Sequence, residues 1–180
     1  MAKFKVEKTD KIDRELFKIT YEDNGKTKTR ITPQALDVVK VLIYNRDRDA
    51  FVLTKQIRAF LYINHPDAAT RVELCGGRED KEGLTSEQIA IEEVLEETGY
   101  KVDTLEKITT LYTTAKMTLF YVEVDDSMQV NSGGGLDYED IDILYLPTKD
   151  AKEFMFNENI SKRPGLMFAL CWWFNLRGDK

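Results

Sequence analysis

The segment from Gly76 to Tyr100, GGREDKEGLTSEQIAIEEVLEETGY, constrains the fold of this chain more than any other stretch. Two glycines open a turn, and the residues after it read as a capped amphipathic helix. Thr85 followed by Gln88 has the spacing of a capping box. Ile91, Val94 and Leu95 recur at helical spacing, and Gly99 stands where a left-handed C-terminal cap is expected. The same helix carries Glu92, Glu93, Glu96 and Glu97. Glu93 and Glu97 lie one turn apart on one face, and Glu96 borders it. Like charges at this spacing destabilise a helix by roughly 0.2–0.5 kcal/mol per pair. The expectation is a helix with its apolar side on a core and its carboxylates opposite. Such a run is either a solvated acidic face or a place for a hard divalent cation, which takes oxygen ligands and removes the repulsion.

Turn residues divide the rest of the chain. Leu16 to Tyr21 and Lys28 to Ile31 read as strands joined by the turn Asp23-Asn24-Gly25. Leu36 to Tyr44 and Phe51 to Ile57 are two further strands with the polar turn 45–49 between them. Val72 to Cys75 is a short strand feeding the acidic helix. Ile108 to Thr113, Leu119 to Val124 and Ile141 to Leu146 complete the strands. The loop before the last of these holds Gly133, Gly134 and Gly135. Thr148 is expected to cap a helix through Phe156, and Pro164 suits the first turn of a final helix carrying Trp172 and Trp173. Mixed strands with helices between and after them predict an α/β fold, a sheet sandwiched by helices. The 180 residues suit one full core, and no repeat or linker interrupts them.

Composition excludes several classes. A hydrophobic content of 42% argues against disorder. A formal net charge of −6 gives no electrostatic footprint for nucleic acid. No run approaches the roughly 18 apolar residues of a membrane span, and the N-terminus lacks the apolar core of a signal peptide. Cys75 and Cys171 offer no disulfide framework and read as small core residues, which fits a reducing, cytoplasmic setting. His65, the only histidine, lacks the partners of a triad or a histidine metal site and reads as a surface residue.

Gly77, Glu93 and the string Glu96-Glu97-Thr98-Gly99-Tyr100 resemble the Nudix box, whose usual form is GX5EX7REUXEEXGU with U apolar. There are two departures. Glu92 stands where that family usually has an arginine, and the loop after Gly77 is one residue longer, so that Leu84 falls near the place of the first box glutamate. Exposure is the expected state of Glu92. The run Glu73-Leu74-Cys75-Gly76-Gly77 and the tail GGGLDYEDIDILYLP are similar to the UDP-sugar and ADP-ribose diphosphatase branch. The likeness covers the chain from about Gln34 onward. It implies a Nudix-type αβα sandwich with a mixed β-sheet over residues 34–180. It also implies that the hairpin segment, residues 1–33, is a dimerisation element and the protein a homodimer.

The resemblance also assigns roles. Glu93, Glu96 and Glu97, with the backbone carbonyl of Gly76, are the implied ligands of Mg²⁺, for which Mn²⁺ could substitute. Asp137 and Glu139, in the glycine-rich loop, are the implied general base or an extra ligand, with Glu96 the next candidate. Arg58 is the implied contact to a substrate phosphate, since its planar fork suits phosphate oxygens, and Glu73 is a weaker substrate or supporting residue. Each has a plainer reading: a solvated loop acid for Asp137 and Glu139, a strand-end surface arginine for Arg58. The implied activity is hydrolysis of a nucleoside diphosphate sugar, UDP-glucose first and ADP-ribose second, to a nucleoside monophosphate and a sugar phosphate. The implied partner is thus a small-molecule nucleotide sugar. The rival classes are a silent nucleotide-sugar binding module, which intact Glu93, Glu96 and Glu97 disfavour, and a sanitising enzyme for damaged nucleoside triphosphates, which the tail disfavours.

Overall fold

Asn24 and Gly25 have φ of 51° and 71°, the positive values that a tight two-residue hairpin turn needs. They join β1 (Leu16–Asp23) to β2 (Lys26–Pro33), antiparallel from Leu16↔Pro33 to Asp23↔Lys26. The computed structural model describes residues 5–7, 15–136 and 139–177. It divides into two compact units, 1–36 and 37–180. None of the hairpin's strand residues is buried.

The second unit is built on β3 (Val38–Asn45), β4 (Ala50–Ile57), β5 (Thr70–Glu73), β6 (Glu106–Tyr112), β7 (Lys116–Val124) and β8 (Asp142–Pro147). They form one mixed sheet of six strands. β3 lies parallel to β7 and antiparallel to β4, while β4 also pairs antiparallel with β5 and β8. β4 leaves β3 after Val52, and Thr54–Ile57 pair with β5 instead. The chain beyond β5 then runs along the start of β3, with Val41 N–H donating to Cys75 O at 2.9 Å and Val39 N–H to Gly77 O at 3.0 Å. This inserts the glycine turn between β3 and β4.

Alternation along β3 fills a core on each side of the sheet. Val39, Val41 and Ile43 pack with Val52 and Phe120 under α2 (Ser86–Thr98). Leu42 packs the other way, with Phe51, Leu53 and Leu119, beneath α3 (Thr148–Phe156) and α4 (Pro164–Leu176). Each large apolar side chain fully buried here contributes roughly 1.5–3 kcal/mol. Trp173 belongs to this second core, edge-on to Phe51 at 5.0 Å between ring centroids. The layering is the expected helix–sheet–helix sandwich.

Three local expectations need correction. Thr148 is the first residue of α3, not its cap; its hydroxyl donates to Asp49 Oδ2 at 2.7 Å and ties the helix start to the β3–β4 turn. A one-turn helix, α1 (Ala59–Tyr62), follows β4 where no helix was expected. Cys171 is exposed on α4, whereas Cys75 is buried. The two thiols are not alike, because Cys75 lies under α2 and Cys171 faces away from the core. His65 is exposed, as expected.

Candidate active site

Both ends of α2 are built as its sequence predicts. The Thr85 hydroxyl accepts from the Gln88 N–H at 3.2 Å, and the Gln88 side chain accepts from the Thr85 N–H at 2.9 Å. Gly99 closes the helix at φ 76° with its N–H on Leu95 O. The division of faces differs from the expectation. Its buried residues are Ile89, Ala90, Val94, Glu97 and Thr98, while Ile91 and Leu95 are only partly buried. The acids therefore do not all lie opposite the core; Glu97, 4% exposed, is part of the buried face. The cause is the glycine turn, which packs its backbone against α2.

That packing brings the turn and the acids together. Gly76 N–H donates to Glu97 Oε2 at 2.8 Å. A Cβ on Gly77 would fall 2.5 Å from Glu93 Oε1, so only glycine admits the carboxylate there. The Cys75 thiol lies on the main-chain oxygen of Glu93 at 3.4 Å, and burial together with Glu97 pushes its pKa up, so it is an inert packing group. Burial and the charges of Glu97 and Glu96 push Glu93 up to about 7. Burial also raises Glu97, against Lys40 and the Gly76 hydrogen bond. Glu96 and Glu92 point outward to one lysine, with Lys81 Nζ at 2.7 Å from Glu92 and 3.4 Å from Glu96. Glu92 is thus half-exposed but ion-paired.

The donor set suits a hard cation: oxygen atoms only, with negative charge in excess. Glu93 and Glu97 are carboxylates held close together in a partly buried place, an arrangement that a divalent ion relieves. In the arrangement seen here, no three metal-binding side chains converge among the described residues. Glu96 is drawn to Lys81 and Glu97 to the Gly76 N–H. The Gly76 carbonyl accepts from the Lys40 ammonium.

Glu73 and Arg58 form a second group. Glu73, 1% exposed, takes two hydrogen bonds from Arg58, Nε to Oε1 at 3.0 Å and a terminal nitrogen to Oε2 at 2.7 Å. Arg163 Nε adds a third at 3.2 Å, and Arg71 lies 3.8 Å from the same carboxylate. Burial pushes Glu73 up, but Arg58, Lys40 and Arg163 outweigh it and hold the carboxyl below its usual range. Arg58 is therefore a paired guanidinium rather than a free strand-end residue. Cations outnumber the carboxylate they surround, which leaves positive charge facing outward.

The glycine-rich loop reaches the box by another route. Gly134 N–H donates to Glu97 O at 2.9 Å and Gly135 N–H to Glu96 O at 3.0 Å. The loop thereby satisfies carbonyls at the end of α2 that would otherwise lack donors. A Cβ on Gly133 would stand 2.5 Å from Glu97 O. Close approach requires glycine at 133, and φ values of 62°, 108° and 84° favour it at all three positions. Glu139 follows, exposed, near enough for its charge to push Glu97 up. Its carboxylate accepts from Leu136 N–H at 3.1 Å. Asp137 lies outside the described residues.

Lys40, Lys81, Arg71 and Arg163 were not singled out from the sequence. Lys40 had a signal, a lone charge inside the apolar run Val38–Tyr44. The others had none, since their positions on edges and loops are ordinary for basic residues.

The chain matches no protein-family model. Whole-chain relatives are clearer. The uridine diphosphate glucose pyrophosphatase NUDT14 of Mus musculus is 30% identical over 193 residues, covering 88% of this chain and 87% of that one. The chain belongs to the Nudix hydrolases. A GDP-mannose pyrophosphatase of Pectobacterium atrosepticum is 34% identical over 136 residues, 73% of this Nudix chain and 69% of its own length. A crystal structure of an ADP compounds hydrolase has the same fold, with a TM-score of 0.67 at 14% identity over 97% of this chain and 92% of that one. No described helix of this Nudix protein is long and apolar enough to cross a membrane.

Proposed function

We propose that this Nudix protein hydrolyses the diphosphate bond of a nucleoside diphosphate sugar to a nucleoside monophosphate and a sugar 1-phosphate. The observation that carries the reading is the clustering of Glu93 and Glu97 on the glycine turn, with Glu93 pushed up to about 7 by burial and neighbouring acids. The relatives named for UDP-glucose and GDP-mannose support a nucleotide-sugar substrate.

Glu93, Glu96, Glu97 and the Gly76 carbonyl would hold Mg²⁺, with Mn²⁺ as a substitute. Once bound there, such an ion neutralises phosphate charge and lowers the pKa of water. The chain's own residues do the rest. Arg58, oriented by Glu73, presents its remaining N–H groups to a phosphate oxygen, with Arg71 and Arg163 adding charge. Glu139 or Asp137, on the loop pinned to α2, takes the proton of the attacking water. The protein works as a cytoplasmic homodimer through its N-terminal hairpin.

The test is a panel of UDP-glucose, GDP-mannose and ADP-ribose with Mg²⁺, followed by ³¹P NMR. The expected products are a nucleoside monophosphate and a sugar phosphate, with a preference for UDP-glucose or GDP-mannose. Tight binding of a nucleotide sugar without turnover would identify a silent binding module instead. Turnover confined to ADP-ribose would move the substrate class.

A further inference from the structure

β3 is an apolar strand with one exception. Lys40 lies between Val39 and Val41 and is 6% exposed, among neighbours that are fully buried. A buried ammonium persists only with partners that replace water. Its ammonium donates to main-chain oxygens: Leu74 O at 3.2 Å and Gly76 O. The register explains the choice. Val39 and Val41 bond to Gly77 and Cys75, so Lys40 stands opposite Gly76 and its side chain folds over the turn.

The charge of Lys40 also reaches the acids. It draws Glu73, Glu93 and Glu97 toward their ionised forms. Lys81, the other nearby cation, sits at the rim with Glu92 and Glu96, and its effect on Glu93 is weaker than that of Lys40. Glu97 therefore has three sources of compensation, the Lys40 ammonium, the Gly76 N–H and the Cys75 thiol. The ammonium and the N–H meet at one residue, since Lys40 grips the carbonyl of Gly76 and Glu97 accepts its N–H, one peptide group on each side of the same Cα.

We propose that Lys40 is the internal counter-ion of the acid cluster, a positioning residue that fixes the turn at Gly76 and lets Glu93 and Glu97 share a buried face before any divalent cation binds. The proposal rests on the metal-binding reading of these acids only for its second consequence. The first is that the metal-free protein depends on Lys40. The second is that Lys40 and a divalent ion compensate the same charges. Each then matters less when the other is present, and removing Lys40 strengthens metal binding.

Lys40→Met keeps the length of the side chain and removes its charge. Thermal unfolding is followed at pH 8 in EDTA and in saturating Mn²⁺, and Mn²⁺ affinity is measured by calorimetry. In EDTA the variant should melt several degrees below the parent, and Mn²⁺ should recover at least half of that loss. Its Mn²⁺ affinity should rise several-fold. An equal loss in both buffers with unchanged affinity would reduce Lys40 to a carbonyl anchor and overturn the proposal. A second arm needs no metal. In EDTA, Glu97→Gln should restore much of the stability that Lys40→Met removes, because the two groups compensate each other. Simple addition of the two losses would overturn the proposal. If Lys40→Met does not fold alone, recovery of soluble protein in the double variant supports the proposal, and failure of both refutes it. Absence of Mn²⁺ binding by the parent would overturn the metal reading, while the double variant would still decide the role of Lys40.

Discussion

Glu93 ties the stability of the metal-free protein to pH. Its pKa is raised from 4.5 to about 7 in the fold. Between these values the folded protein holds a proton that the unfolded chain has released, so stability falls as pH rises through the window. The contribution is fully present below 4.5 and lost above about 7. Other carboxyls, Glu73 among them, act in the opposite sense, so the check is a difference. The melting temperature of Glu93→Gln minus that of the parent, in EDTA, should grow more positive from pH 5 to pH 8. A flat difference would mean that Glu93 is not perturbed. With Mg²⁺ present the gain should shrink or reverse, since the variant loses a carboxylate. The sequence already pointed to Glu93, Glu96 and Glu97, because helical spacing is a local property. It could not reveal that Glu97 is buried or that Arg58 is paired to Glu73. Both depend on where a distant strand brings its backbone, and Lys40, in plain sight in an apolar run, acquires meaning only from Gly76 across the sheet.

At the scale of elements, the end of α2 and the loop 131–139 are one device. The loop's N–H groups cap the helix, and Glu139 lies near enough to the box to act on Glu97. Gly133→Ala would set a methyl group 2.5 Å from Glu97 O at a φ of 62°. A residue forced into positive φ with a clash costs more than about 1 kcal/mol. The variant should melt lower and also lose kcat, because the shifted loop carries Glu139 with it. Intact kcat beside a lowered melting temperature would separate the loop from the chemistry. The loop acids are tested directly by kcat for Asp137→Asn, Glu139→Gln and the pair. Removing the general base should lower kcat by about 10²–10⁴-fold with little change in KM. If all three variants stay within a few-fold of the parent, the base lies elsewhere, with Glu96 the first to try. The strands, the helices other than α1 and the caps of α2 were legible from period and turn residues, with ends off by up to three residues. The three glycines marked a loop in the sequence, but not the close contact of Gly133 with the α2 carbonyls. That contact joins segments more than thirty residues apart, and no local pattern encodes it.

For the molecule as a whole, the open question is what covers the N-terminal hairpin. A two-stranded hairpin is marginal in water by itself. Here Leu16, Phe17, Ile19 and Tyr21 on β1 and Ile31 on β2 are all exposed. Phe17, Ile19 and Tyr21 share one face, opposite Thr32, Arg30 and Lys28. Lys18 pairs with Ile31 on the other. Beyond their ladder the strands share polar contacts such as the Thr20–Thr29 hydroxyl pair at 3.2 Å and the Lys28–Asp23 ion pair. Apolar side chains on a hairpin without a core of its own are what a second copy of the chain would bury, and unpaired strand edges give it backbone to bond. The expected solution mass is therefore that of a dimer, about twice 20.8 kDa, by light scattering at micromolar concentration. Phe17→Ser with Ile19→Ser should shift the mass toward monomer without unfolding the second unit, whose core lies wholly within residues 37–180. Activity separates the uses of the dimer. If the hairpin lends residues to a partner's substrate, KM rises and kcat falls in the monomer. If it only joins the copies, both constants persist. A parent protein that is monomeric at micromolar concentration would remove the hairpin's proposed role and leave its exposed apolar face to a different partner.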